Sequence, residues 1–210
     1  APTTAQTSRR LTDPAEGLPA MRGIQSGGIL MLISPALQSK IVHTTHRCSG
    51  RLFLVHLRHG EDELVIVALY GVSAPQTDDK KAMRTQLAAA MVQVHQEYPD
   101  TPLLVVGDLN AAASADDRGS NELTPYDREP DALTNVLTRL SLIDIHRHKF
   151  PPSRHYTWSN SRGYKSRIDA VYANTHALEM AGGVHSFKSS IGNTPGCLLY
   201  TSDAADDSDC

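Results

Sequence analysis

The stretch Leu103 to Ala112, LLVVGDLNAA, constrains the fold of this chain more than any other ten residues. Four consecutive apolar residues make a strand that gains free energy only if both of its faces are covered. The run then meets Gly, Asp, Leu and Asn. A carboxylate and a carboxamide two residues apart at the end of a buried strand cost free energy unless something polar meets them. Strand alternation puts Asp108 and Asn110 on one side, at the carboxyl end where α/β proteins place their ligands. Asp offers a metal or a water an anionic acceptor, and Asn offers a donor and an acceptor, which suits a phosphoryl oxygen and a water. The pair suits metal-assisted phosphoryl chemistry; the structural alternative is an ordinary turn after a strand.

The rest of the chain surrounds this stretch with strands and helices. Residues 1–23 are polar and rich in Pro, Gly and Thr, a poorly anchored lead-in with a short helix around Pro14 to Met21. Three apolar runs follow: Ile29 to Ile33, then RLFLVHLR with Leu52, Leu54 and His56 opposite Phe53, Val55 and Leu57, then LVIVALY. They read as a meander, with HGEDE and its Gly60 as a hairpin turn. Met83, Leu87, Met91 and Val94 recur at helical spacing, with Asp78 or Asp79 near the N-terminus and Pro99 as the stop. A second helix carries Leu133, Val136, Leu137 and Leu140 on one face after Pro130 and Asp131. LIDIHRHKF follows, and HYTWSN and SRIDAVYAN read as two strands around the loop SRGYK. The pattern is strand-rich α/β, without internal repeat or domain linker.

At 210 residues and 22.8 kDa the chain has the length of one domain with one sizeable core. A net charge of -3 and a pI near 6.4 argue against gripping nucleic acid by an overall positive field, and leave room for a local basic groove. DKK, HRHK and SRGYK are candidates for such a rim, or are ordinary solvated loops. Cys48, Cys197 and Cys210 suggest neither a disulfide framework nor a zinc knuckle and fit a reducing compartment, so an intracellular location, nuclear or cytoplasmic, is expected. No apolar run approaches a membrane span, and no membrane partner is expected. Among the ten His residues, the pairs His43/His46 and His146/His148 lack a third ligand at zinc spacing; strand alternation would place the latter two on one face.

Two further strands carry polar residues of interest. Tyr70 ends LVIVALY, and its phenol can donate to a phosphate. Asp169 lies among Ile168, Ala170 and Val171, a setting in which a carboxylate needs a partner. Arg167 is one candidate for an ion pair, and a histidine held by the carboxylate as a general acid or base is the other.

The order GGILMLIS, LVIVALYGVSAP, LLVVGDLNAA, LIDIHR, HYTWSN and SRIDAVYAN resembles the endonuclease/exonuclease/phosphatase superfamily, especially its apurinic/apyrimidinic-endonuclease-like and retroelement-endonuclease members. The resemblance runs from about Gly27 to about Pro195. It implies a four-layer α/β sandwich of two mixed sheets flanked by helices, here incomplete, with domain limits at 24–196 and a tail at 197–210. By the resemblance Asp108 matches the Asp that readies the attacking water, and Asn110 the Asn that contacts the scissile phosphate. Tyr70 matches an active-site Tyr, and Asp169 the Asp that holds the catalytic His. Trp158 matches a residue beside the substrate groove and is equally a candidate for the core, and Arg167 joins it as a substrate-binding candidate.

The implied activity is divalent-metal-dependent phosphodiester hydrolysis of nucleic acid, DNA in particular, with Mg2+ or Mn2+. The family's metal-binding Glu precedes the strand that GGILMLIS matches and has no counterpart in this chain; Glu16 stands outside any such motif. The family's Ser-Asp-His motif is also unmatched: SSIGNTPG leads into CLLYTSDAADDSDC, which resembles translated adapter sequence, or a natural acidic tail, and Ala204 follows Ser202 and Asp203 where His would stand. With Ala as its first residue, the chain reads as a truncated fragment of low activity. The alternatives are an inositol-phosphate or sphingomyelin branch of the same superfamily, and a non-catalytic binding domain.

Overall fold

The computed structural model describes residues 28–73, 77–151 and 154–180. The lead-in, the tail, Glu16, Cys197, Cys210 and the Ser202–Ala204 comparison lie outside them.

The first described segment departs from expectation. Residues 29–33 belong to no strand; Leu30 and Leu32 are 63% and 64% exposed, and among the described residues no neighbouring strand pairs with them. Apolar content alone makes no strand without a partner for the backbone. After a one-turn helix α1 (Pro35–Gln38), the first strand is β1 (Ile41–Arg47), whose β-branched Ile, Val and Thr residues suit a strand at a sheet edge. β1 pairs antiparallel with β2 (Leu52–His59), and β2 with β3 (Asp62–Tyr70), turning at Gly60. This is the expected meander with its first strand replaced: β2 and β3 are the strands read from RLFLVHLR and LVIVALY, and β1 takes the place of 29–33.

Helix α2 (Asp78–Glu97) then crosses over, so that β4 (Leu103–Asp108) pairs parallel with β3. Thr77, not an Asp, caps α2 by accepting from the Lys80 N–H, while Asp78 and Asp79 occupy the first turn. α3 (Leu133–Arg139) follows a long irregular segment. The short β5 (Ile143–Asp144) leads into α4 (Ile145–Lys149), where the Asp144 side chain accepts from the Arg147 N–H. That cap turns HRH into a helical turn, so His146 and His148 lie on different sides rather than on one strand face.

β6 (Trp158–Ser159) and β7 (Lys165–Ser166) form a separate two-stranded hairpin, and β8 (Asp169–Ala173) enters the main sheet between β4 and β5, before α5 (Thr175–Met180). The main sheet runs β1-β2-β3-β4-β8-β5. A six-stranded mixed sheet, a second small sheet and flanking helices make an incomplete α/β sandwich.

The core lies on one face of this sheet. Leu87, Met91 and Val94 of α2 and Leu133, Val136 and Leu137 of α3 pack against Val65, Val67, Leu103 and Val105, all essentially buried. The alternation along β4 buries Leu103, Val105 and Gly107 there and leaves Leu104, Val106 and Asp108 half-exposed on the other face.

Candidate active site

Three of the residues singled out in the sequence end up side by side. Tyr70 is the last residue of β3, Asp108 the last of β4 and Asp169 the first of β8; the register pairs Tyr70 with Asp108 and Asp108 with Asp169. Residues paired across adjacent strands share a face, so the phenol and two carboxylates form a row across one end of the sheet. Tyr70 and Asp108 are half-buried, and Asp169 is 5% exposed.

Two glycines allow the row to be this tight. A Cβ on Gly107 would lie 1.9 Å from the Leu69 carbonyl oxygen, and one on Gly71 would lie 2.2 Å from that of Leu109. The Gly71 N–H donates to the Asp108 carbonyl at 2.7 Å, carrying the β3–β4 contact past the strand ends. Only residues without side chains permit this approach.

Asn110 reaches the row by another route than alternation. The strand has ended, Asn110 takes a left-handed backbone (φ 50°), and its N–H donates to Asp108 Oδ1 at 2.8 Å. This Asx turn keeps the two side chains together, and Asn110 Nδ2 donates to the Gly71 carbonyl at 3.1 Å. The turn alternative and the proximity are thus both realised.

Asp169 is set in place by its backbone. Thr157 Oγ1 accepts from the N–H groups of Ile168 and Asp169, at 3.2 and 3.1 Å. Trp158, next to Thr157, is half-buried and pairs with Ser166 across the hairpin.

Arg167 does not take Asp169 as its partner. Its guanidinium, 5% exposed, donates through Nε to Asp117 at 2.7 Å and through Nη2 to Asp144 at 2.5 Å. Two carboxylates within reach outcompete a neighbour two residues away whose side chain faces the row. Burial alone would favour loss of the guanidinium proton, but the two carboxylates outweigh it and raise its pKa. Arg167 thus braces the loops behind the row.

Sequence reading missed this bracing altogether. Asp117 is fully buried and accepts from Arg167, Arg147 and both the N–H and hydroxyl of Ser114. Burial pushes its carboxyl up, but the bonds from Arg167 and Arg147 prevail and hold it below the usual range. Asp127 repeats the pattern with Arg118, the Ala112 N–H and Thr124, and is likewise held low despite burial. In the sequence, ADDRGSN and PYDREP look like solvated loops; the spacing of Asp to Arg alone does not distinguish them.

Tyr126 closes the other side. Its hydroxyl donates to the Val72 carbonyl at 2.5 Å, and burial pushes its pKa up to about 12. Arg84 stacks over its ring at 5.3 Å while pairing with Asp131.

Among the described residues no three His, Cys, Asp or Glu side chains converge where a cation could sit. Asp108 and Asp169 supply two carboxylates and fall short of a full set of protein donors. The described residues therefore do not by themselves make the divalent-metal site that the motif resemblance implies.

No family model matches the chain. The Transposon TX1 uncharacterized 149 kDa protein of Xenopus laevis is 29% identical over 159 residues, 74% of this chain and 12% of that protein. Two solved structures share the fold. The 3′ phosphatase NExo from Neisseria, bound to a product DNA hairpin, superposes with a TM-score of 0.50 at 20% identity, over 65% of this chain and 56% of that one. An AP endonuclease from Archaeoglobus fulgidus gives 0.50 at 16% identity, over 64% and 58%. The chain thus spans a small part of the transposon protein and little more than half of the two enzymes. The chain therefore shares its fold with these two enzymes.

Proposed function

We propose that this chain carries the water-side and phosphate-side groups of a nuclease-like phosphodiesterase acting on nucleic acid, DNA in particular. The observation that carries this reading is the row Tyr70–Asp108–Asp169 across three adjacent strand ends, with Asn110 turned beside it. In this reading Asp108 accepts the proton of a water attacking phosphorus in line, the ester P–O bond opposite the water breaks, and the leaving oxygen takes up a proton. Tyr70 and Asn110 donate to the non-bridging oxygens, whose negative charge grows as the water adds. Asp169, at the far end of the row, is in this reading the carboxylate that orients a histidine general acid or base. A divalent cation, Mg2+ or Mn2+, would neutralise charge on the phosphoryl oxygens, but its donor set is not complete among the described residues and no step here depends on it. The transposon protein similarity supports a retroelement-like setting, and the DNA-bound NExo and the AP endonuclease support nucleic acid over lipid.

The test is nicking of a supercoiled plasmid by the purified chain and its Asp108→Ala variant, with magnesium and with chelator, over a long incubation. Slow nicking by the parent chain, lowered at least about a hundredfold by Asp108→Ala, supports the reading. Equal rates for the two chains overturn it, and DNA binding without any cleavage leaves a binding domain. Cleavage of a phosphoinositide in preference to plasmid would move the substrate to the lipid branch.

A further inference from the structure

Arg51, just before β2, meets the candidate site from three directions although neither the motifs nor the reaction above uses it. Its carbonyl accepts the Tyr70 N–H at 2.9 Å. Its guanidinium carbon stands 4.7 Å over the centre of the Tyr70 ring, within the distance at which the negative face of an aromatic ring attracts a cation. Its Nη1 donates to the Gly71 carbonyl at 3.0 Å and, at 3.4 Å, to that of Tyr70. The Gly71 oxygen is also the acceptor for Asn110 Nδ2. One carbonyl therefore joins the guanidinium to the amide, engaging one N–H of Asn110 Nδ2 and leaving the other as the donor for a phosphoryl oxygen.

We propose that Arg51 is a positioning residue for the two phosphate-side groups, fixing the Tyr70 ring from above and the Asn110 amide through the shared Gly71 carbonyl. Its role as a holder of phosphate-binding groups rests on the phosphodiesterase reading; the contacts do not. The guanidinium shape matters, because one planar fork covers the ring and reaches the carbonyls together, whereas an ammonium is a point charge that can serve only one of them well. Gly71 makes the link stiff, since Leu109 leaves no space for a side chain there.

A double-mutant cycle separates positioning from mere support of the fold. Affinity for a short fluorescent DNA duplex is measured for the parent chain, Arg51→Lys, Tyr70→Phe and the pair, each checked for a cooperative thermal melt. The expected result is a loss of about tenfold for Arg51→Lys in the parent and a smaller one of about threefold in the Tyr70→Phe background, where the Asn110 route remains. Equal losses in both backgrounds overturn the proposal. Independently of DNA, incorporation of 3-fluorotyrosine gives a fluorine resonance for Tyr70, assigned by its disappearance in Tyr70→Phe. Arg51→Lys and Arg51→Gln should move that resonance and leave those of Tyr126 and Tyr172 in place; an unmoved Tyr70 signal in folded variants overturns the proposal. If the parent chain neither binds nor cuts DNA, the phosphodiesterase reading fails, and the fluorine shift alone decides whether Arg51 holds Tyr70.

Discussion

Asp117 is the residue on which the local electrostatics depend. A fully buried carboxylate is costly to desolvate, and its two arginines repay that only while both are in place. Asp117→Asn leaves Arg167 and Arg147 short of a charge, with an expected loss of about 3–5 kcal/mol, measured by urea denaturation at neutral pH. The same residue predicts a pH dependence. Its native pKa, like that of Asp127, lies below the ordinary 3.8, so around that pH the unfolded chain binds protons that the folded chain refuses. The stabilisation is complete above about pH 5 and is lost as the pH falls through the depressed native values. Denaturation midpoints of the parent should drop between about pH 5 and 3, and those of Asp117→Asn should drop less. None of this could be read from ADDR, because which arginines reach a given aspartate depends on loops folded back from 30 and 50 residues away. By contrast, Tyr70, Asp108 and Asp169 stand out in the sequence as candidates, since each ends or begins a strand and so shows itself as a polar residue against an apolar run, with Asn110 two residues beyond.

Among the elements, the helices and central strands were legible and the edges were not. α2 announces itself by apolar residues three and four apart, and β3 and β4 by unbroken apolar runs. β1 carries mostly polar residues because it borders solvent, while the apolar 29–33 segment has no strand beside it; local composition points the wrong way in both places. The start of α2 is a matter of one hydroxyl, with Thr77 accepting from Lys80 N. Thr77→Ala should cost about 1 kcal/mol and lower the melting temperature by about 2–4 °C, while Thr77→Ser should restore most of it. A melting temperature unchanged by Thr77→Ala would show that Asp78 and Asp79 suffice to hold the helix start.

At the scale of the whole molecule, the sheet separates two tasks. One face carries the apolar core under α2 and α3, and one end of the strands carries the polar row. The α/β class was legible because alternation and helical spacing are local signals, whereas the sandwich of two sheets came from the motif resemblance. The separation of β6 and β7 from the main sheet was not, since two short strands give no sign of which neighbour they will choose. Their choice is explained by the irregular chain between β4 and α3. Asp117, Arg118 and Gly119 run alongside Lys165, Ser166 and Arg167, with Arg167 N–H donating to the Asp117 carbonyl and Gly119 N–H to that of Lys165, both at 2.8 Å. A stretch with no more than two short 3-10 turns is thereby stapled, by backbone and by buried charge, to the segment that delivers Asp169. In deuterium exchange the amides of Ala112, Asp117, Gly119 and Arg167 should exchange on the timescale of global opening, as slowly as those of β4, while the amides of the Gly60 turn exchange within seconds. Rapid exchange at Gly119 and Arg167 would mean that the staple opens on its own, and that the loop leaves and rejoins the sheet many times in the life of one folded molecule.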